Sequence, residues 1–489
     1  MESLFSKFMR LREEKEEPVS GVTSHVKLQK KQGNHEFTPF EIGKSSHPNL
    51  AKVVKAFVNS DKVGLGYTTL DKNKGEVEPQ MKKKTIYLAG GSVRDHLIGK
   101  TPKNYNLVTD ATPSETRMIL KHAGFKEVKP QSEKNRYEKL PNDTEKSKIF
   151  YASRWDKRGK EMEVVAVVNG QPFQIATLSK SPKSKNFTPD DSKMASSIEE
   201  DASNRDFTIN AMYIPLTNFS GPNSDLIDPF GGANHLKSGE IKSVGEKFDD
   251  RLKEDPLTGF RLVNHFNRFG KGDNIPDNYM KSMRKDNVFD NADSKGMKDE
   301  FVNGLENPDI DTKKFLKTYH QSGLLNLLFP NINFEDHDVP NDMRSDRWMV
   351  AAWILRNNSP HDVRDMLLSG GWNKQEANDV AYLVKMYQWG KAKFDPDKVY
   401  DMIQSHTALT KSKVHDWMNA VNMDGQEVNQ FMNMNCDDLQ PYKADMGGMS
   451  TVNPIYIKFS GHTPSNNEIE DSRKSMISNR WKNLTGRML

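Results

Sequence analysis

Two short stretches of this chain hold residues whose types and spacing could do chemistry together. Gly90, Gly91 and Ser92 follow the apolar run "IYLA" and lead into "SVRDHLIG", which reads as a helix. Strand, glycine turn and helix start suit a phosphate: glycines let backbone approach an anion closely, and free amides at a helix start point toward it. Arg94, just inside that helix, adds positive charge. A plain tight turn accounts for the same glycine pair, so both roles stay open. Next comes "NYNLVTD", a second strand, which carries Asn104 and Asn106. The spacing looks built for a metal ion, yet both residues are neutral amides.

The elements that must position these residues are readable around them. "PNLAKVVKAFVN" predicts a helix opened by proline, and "TPSETRMILKHAG" a helix capped by Thr112 and ended by Gly124. Two β-rich runs flank Asn169-Gly170 and predict a hairpin. Residues 84–215 therefore read as mixed α/β. Beyond about residue 235, "DPLTGFRLVNHFNRFG", "TKKFLKTYHQSGLLNLLFP", "DRWMVAAWILRNN", "SPHDVRDMLLSGG" and "KQEANDVAYLVKMYQWG" all carry helical apolar spacing. At the start, Leu4, Phe5, Phe8, Met9 and Leu11 fall on one helical face. That helix either folds back on its own domain or docks into a partner protein's groove. The following "EEPVSGVTSHVKLQKKQGNHEFTPFEIGKSSH" has no period and reads as a polar linker.

Composition bounds the rest. At 489 residues, two or three domains are expected. A formal charge of +4 neither demands nor excludes nucleic acid, so local patches would have to make that case. A single cysteine, Cys436, rules out an intramolecular disulfide and a cysteine-based zinc site. No apolar run nears the ~18 residues of a membrane span, and the start resembles neither a signal nor a transit peptide. A soluble, intracellular protein with no membrane partner is the expectation.

Taken in order, "YLAGGSVRDHLIGKTPKNYNLVTDATP", "FQIATL", "SIEEDASNRDFTINAMYIP", "LIDPFGG" and "EDPLTGFRLVNHFNRFG" resemble the bacterial-type poly(A) polymerase and class II tRNA nucleotidyltransferase (CCA-adding) family. The resemblance is close over 84–270 and looser through "LLNLLFPNI". It implies an α/β nucleotidyltransferase head of the DNA polymerase beta superfamily, a mixed sheet with helices, followed by an all-α neck, body and tail. The corresponding divisions are 1–45 for the helix and linker, 46–235 for the head, 236–335 for the neck and 336–489 for the body and tail. In such enzymes the turn matching Gly90, Gly91 and Ser92 holds a triphosphate. Three carboxylates hold two Mg2+ ions that activate an RNA 3′-hydroxyl and stabilise pyrophosphate. The motif matching "RDFTINA" helps hold the nucleotide sugar and the domain junction, and a Glu-Asp-x-x-Arg motif reads the base.

The departures fall on the chemistry. The three metal-carboxylate positions match Asn104, Asn106 and Gln174. The base-reading arginine matches Thr258, although Glu254 and Asp255 are retained, and another expected arginine matches Ser179. The neck's Glu-Arg pair is not recognisable in "ADSKGMKDEF". Mg2+ binds hard anionic oxygens, and neutral amides of the same shape bring no charge to hold it. Without metal, converging carboxylates repel by about 4 kcal/mol per pair at ~4 Å and an effective dielectric of ~20. Isosteric amides relieve that repulsion, as expected once function no longer opposes it. No cofactor is therefore expected. Asp309, Asp311, Asp336 and Asp338 are distant as replacement ligands, and Asp110 matches an aspartate the family already has.

Gly90, Gly91, Ser92, Arg94, Asp95, Arg205, Asp206, Asn210 and Asp255 survive, either to tie the head together or as residual nucleotide or RNA contacts. Arg261 stands near Thr258 but matches a family position with a packing role. The expectation is an inactive family member that retains an RNA- or nucleotide-binding or assembly role. An active atypical nucleotidyltransferase adding A or C to RNA 3′ ends is the first alternative. A structural subunit of a ribonucleoprotein or viral assembly is the second, motivated by the N-terminal helix and the insertion-like "PQSEKNRYEKLPNDTEKSKIFYASRWDKRGKEM". Basic clusters at "QMKKK", "LQKKQ" and Arg473, Lys474, Arg480, Lys482 and Arg487 are candidates for RNA phosphates.

Overall fold

The computed structural model describes residues 25–27, 38–43, 46–64, 69–71, 75–77, 80–102, 104–128, 148–155, 161–179, 197–245, 248–330, 332, 334, 339–340, 346–391 and 411–421. The N-terminal amphipathic segment, Cys436, Asp336, Asp338 and the basic C-terminal cluster lie outside them. Packing divides the chain into two compact units, Met1–Glu254 with Phe269–Lys271, and Asp255–Arg268 with Gly272–Leu489.

The first unit is built on β1 (His25–Lys27), β2 (Phe40–Glu41), β3 (Thr69–Asp71), β4 (Gly75–Val77), β5 (Ile86–Ala89), β6 (Asn106–Thr109), β7 (Lys126–Glu127), β8 (Lys148–Trp155), β9 (Glu161–Val168), β10 (Gln171–Thr177), β11 (Tyr213–Pro215), β12 (Pro222–Asn223) and β13 (Asp225–Ile227). Nine of these form one sheet, ordered β1-β13-β11-β5-β6-β10-β9-β8-β7. The sheet is mixed: β10 runs parallel to β6 and β7 to β8, and the other pairs are antiparallel. Its helices are α1 (Pro48–Val58), α2 (Gly91–Leu97), α3 (Pro113–His122), α4 (Ile198–Ser203), α5 (Gly232–Ser238) and α6 (Phe248–Glu254). One face of the sheet meets α4 in a core of Ala89, Val108, Leu178, Ile198, Ala202, Ala211, Tyr213, Ile227 and Val244. Helices α1 and α3 pack against β9.

Local chemistry explains the elements read from sequence. Thr112 and Glu115 form a reciprocal capping box at the start of α3, with Pro113 in the first turn. Asn169 and Gly170 take φ of 51° and 76°, the paired left-handed turn that matches strand twist between β9 and β10. Two features depart from the reading. The polar stretch taken as linker contributes β1 and β2, which pair with β13 and β12 about two hundred residues away. The insertion-like stretch contains β8, which pairs with β9 over most of its length.

The second unit is helical among its described residues: α7 (Leu257–Phe269), α8 (Asp277–Met283), α9 (Ser294–Leu305), α10 (Thr312–Ser322), α11 (Leu324–Leu328), α12 (Arg347–Ile354), α13 (Pro360–Ser369), α14 (Lys374–Lys391) and α15 (Lys411–Ala420). Phe260, Phe301, Phe315, Tyr319 and Phe329 form a contiguous aromatic core. Gly323, at φ 82°, breaks the leucine-rich run between α10 and α11. Among the described residues, no helix is long and apolar enough to cross a membrane.

Candidate functional site

The glycine turn joins β5 to α2, and two arginines and two asparagines border it. Gly90 takes φ 61° and ψ −129°, a backbone that side chains resist. A Cβ on Gly90 would lie 3.4 Å from Arg205 Nη1 and from Asn210 O. One on Gly91 would lie 3.3 Å from Arg94 Nη2 and 3.7 Å from Asn106 Nδ2. A side chain at either glycine would press against these guanidinium and amide groups.

Ser92 is buried, and its hydroxyl stitches the turn to the next strand. It donates to Asn104 O at 2.8 Å and accepts from Asn106 N–H at 2.8 Å. That bridge fixes where β6 begins. Asn104 and Asn106 are exposed while Tyr105 between them is buried; Asn106 opens β6 and Asn104 precedes it. Gln174 on β10 is exposed and sits in direct register with Asn106 across the parallel pair. Adjacent strands lie about 4.8 Å apart, so Asn106 and Gln174, two of the positions read from sequence as replaced metal carboxylates, come together beside the glycine turn.

Behind that face, Tyr105 anchors the strand. Its hydroxyl meets His47 Nδ1 at 2.6 Å and its ring packs against Phe173. His47 stacks on Phe40, against which His96 sets its edge, and His96 Nε2 lies 2.8 Å from Thr38 O. Burial, with His96 adding to it, lowers the His47 imidazole below its ordinary range. Burial also lowers His96, against the opposing hydrogen bond to Thr38.

The surviving polar residues hold one another. Arg94 is 7% exposed; it donates from Nε and Nη2 to Asp95 Oδ1, each at 3.0 Å, and from Nη1 to Asn210 Oδ1 at 2.7 Å. Its guanidinium also covers the Phe269 ring. Asn210 in turn donates to Asp206 Oδ1. Arg205 donates from Nε and Nη2 to Asp201 Oδ2, at 3.1 and 2.8 Å. Tyr213 Oη donates to the same oxygen at 2.7 Å, and Ser179 N–H to Oδ1 at 3.0 Å. Burial opposes the Arg205 charge, but Asp201 more than offsets it and holds the guanidinium protonated. Burial, with Arg205 opposing and Asp201 adding, raises the Tyr213 hydroxyl far above its ordinary range.

Sequence reasoning missed Asp201 as this hub. Its position four residues before Arg205, on one helical face, was the available signal. Asp201, Tyr213 and Ser179 make Arg205 part of the head's framework, and Asp95, Asn210 and Asp206 do the same for Arg94.

Asp255, Thr258 and Arg261 lie in the second unit and are tied within it. Asp255 accepts from Leu257 N–H at the start of α7 and from Arg261 Nη1 at 3.0 Å. Arg261 Nε donates to Glu300 at 2.8 Å, so Arg261 bridges α7 and α9. Thr258 is 2% exposed. The more distant acids have local work: Asp309 pairs with Arg268, and Asp311 caps α10. Asp110 accepts from Thr85 N–H. Among the described residues, no three His, Cys, Asp or Glu side chains converge as a metal-holding group.

Residues 86–150 and 141–242 match the poly A polymerase head domain family. The chain is 28% identical to poly(A) polymerase I of Escherichia coli O157:H7 over 185 residues, 38% of this chain and 34% of the relative. It is 30% identical to the CC-adding tRNA nucleotidyltransferase of Halalkalibacterium halodurans over 185 residues, again 38% of this chain and 35% of the relative. The match thus spans about a third of those relatives' length. In fold, the chain is similar to a CCA-adding enzyme in an apo form, with a TM-score of 0.54 at 18% identity over 90% of this chain and 91% of the other. It is similar also to the Thermotoga maritima CCA-adding enzyme complexed with tRNA, with a TM-score of 0.52 at 17% identity over 91% and 94%. The α/β head followed by helices is therefore a nucleotidyltransferase fold.

Proposed function

Because the chain belongs to the bacterial-type poly(A) polymerase and class II tRNA nucleotidyltransferase family, we propose that it is a catalytically impaired member that binds RNA without extending it. One observation carries this reading: Asn106 and Gln174 stand side by side near the glycine turn, Asn104 is exposed two residues before Asn106, and all three are neutral. Two Mg2+ ions in the family's site would rest on those positions. Mg2+ sheds water reluctantly and needs carboxylate oxygens to do so. Three amides supply carbonyl oxygens with no net charge, so the residues present do not fit the ions. Without them nothing at these positions would lower the pKa of an attacking 3′-hydroxyl or offset the charge on a leaving pyrophosphate.

RNA is the proposed partner. A relative of the same fold is described in complex with tRNA, and exposed Lys82 and Lys83 precede β5 in this chain. The preserved ties of Arg94 and Arg205 keep the head folded around a site that no longer turns over. An incorporation assay tests the reading directly, with labelled ATP and CTP, Mg2+ or Mn2+, and tRNA or oligo(A) acceptors. No extension is expected. Extension that disappears in Asn106→Ala or Gln174→Ala would end the proposal.

A further inference from the structure

We propose that the rings of His96, Phe40, His47, Tyr105 and Phe173 form a proton-operated clasp. It fixes the backbone around Asn104, Asn106 and Gln174 while the two histidines are neutral, and releases it when they take up protons.

The rings run without a break from α2 to β10. Phe40 lies between the imidazoles, its centroid 5.1 Å from that of His96, edge to face, and 4.8 Å from that of His47, stacked. His47 meets Tyr105 at 5.5 Å, and Tyr105 meets Phe173 at 5.5 Å. Each end of the series touches the candidate site: α2 starts at the glycine turn, Tyr105 stands between Asn104 and Asn106, and Phe173 precedes Gln174. Phe40 itself belongs to a strap, residues 38–43, that is held from its other side. Asn223 Nδ2 donates to Phe40 O at 3.4 Å, and Ile42 N–H to Gly221 O at 3.1 Å. His47 takes φ 55° before α1, a left-handed backbone that a non-glycine residue adopts at a cost. Its stacking on Phe40 and its contact with the Tyr105 hydroxyl offset that cost.

Protons act against this closure. Thr38 O only accepts, so His96 Nε2 donates to it and Nδ1 is the nitrogen left to take a proton. Both imidazoles are partly buried against the same apolar ring, and a charge on one repels a charge on the other. The elements packed around them bring little counter-charge. Glu41 alternates to the exposed side of β2, opposite Phe40. Asp95 on α2 is held by Arg94, and the charges of α1 are Lys52 and Lys55. The strands β6, β10 and β12 hold neutral residues, and burial keeps the Tyr105 hydroxyl protonated. Two imidazolium ions here are best solvated by letting Phe40 and its strap lift away. The clasp is closed above the ordinary histidine range and opens as the pH falls through and below it. Whether the site turns over does not enter this inference.

Hydrogen exchange of the full chain at pH 7.5, 6.5 and 5.5, corrected for the intrinsic rate at each pH, tests the clasp. Protection in residues 38–43, 104–109 and 171–177 should fall by at least about tenfold from pH 7.5 to 5.5, while α3 stays protected. The variant His47→Asn/His96→Gln keeps polar groups that cannot charge, and asparagine tolerates the left-handed backbone. In it the protection of the three segments should not change with pH. His96→Gln alone, which leaves His47 untouched, should show a smaller loss than the natural chain. Protection of the natural chain that is the same at all three pH values would overturn the proposal. So would a loss that spreads equally to α3, or an undiminished loss in His96→Gln.

Discussion

Replacing Asp201 by asparagine isolates the claim that Arg205 is framework. The carboxylate is 2% exposed and receives Arg205 twice, Tyr213 Oη and Ser179 N–H. Asn keeps the shape and can still accept from Ser179, but it leaves the Arg205 charge buried with no counter-charge from this position. Breaking a buried pair from one side costs about 3–5 kcal/mol, and the retained hydrogen bond favours the lower end. A loss of about 3 kcal/mol in a unit of this size moves a thermal midpoint by roughly 6–12 °C. Urea unfolding followed by circular dichroism measures it in the transition that the substitution shifts. Asp201→Leu/Arg205→Met removes both charges and should recover much of the loss, because well-packed apolar replacements of buried pairs are near neutral. A loss under about 1 kcal/mol for Asp201→Asn would refute the reasoning, since the buried charge would then have found another partner.

Further expectations follow from the same geometry. Ser92→Ala removes the hydroxyl that bridges Asn104 O and Asn106 N–H, and should cost about 1–3 kcal/mol in urea unfolding. Hydrogen exchange should also speed at the Asn106 amide in that variant. His47 and His96 titrate below 6.5 in the folded chain, so the unfolded chain takes up their protons first as the pH falls. Stability is therefore fully present above that value and declines below it, by no more than about 1.4 kcal/mol per pH unit for each ring. Thermal melts from pH 7.5 to 5 should show a falling midpoint, and His47→Phe should flatten the slope. If the proposed RNA contact runs through Lys82 and Lys83, binding should weaken steeply with salt, and Lys82→Ala/Lys83→Ala should lower the salt slope. An unchanged slope would remove these lysines from the interface.

How much could be read from the residues alone depended on how local their interactions are. Thr112, Pro113 and Glu115 satisfy one another within a single turn, so the start of α3 is visible in four letters. Asn169-Gly170 likewise determines its own backbone. Strands β1 and β2 are short and set in polar sequence; partners far along the chain make them strands, and no local pattern announces them. Strand β8 hid in a charged stretch for the same reason. At the site, the glycine turn and the Asn104–Asn106 spacing are local, but placing Gln174 beside Asn106 required the β6–β10 register. The hub at Asp201 was less visible still. Its partners Ser179 and Tyr213 come from different elements, and only the Arg205 spacing hinted at it.

A two-metal site that has lost its metals while keeping its shape is tested by Mn2+ binding. Electron paramagnetic resonance can count bound Mn2+ in the natural chain, in Asn106→Ala/Gln174→Ala, and in Asn104→Asp/Asn106→Asp/Gln174→Glu. The natural chain and the alanine variant should bind alike, and the carboxylate variant should gain sites. Stoichiometric Mn2+ on the natural chain that vanishes in the alanine variant would contradict it.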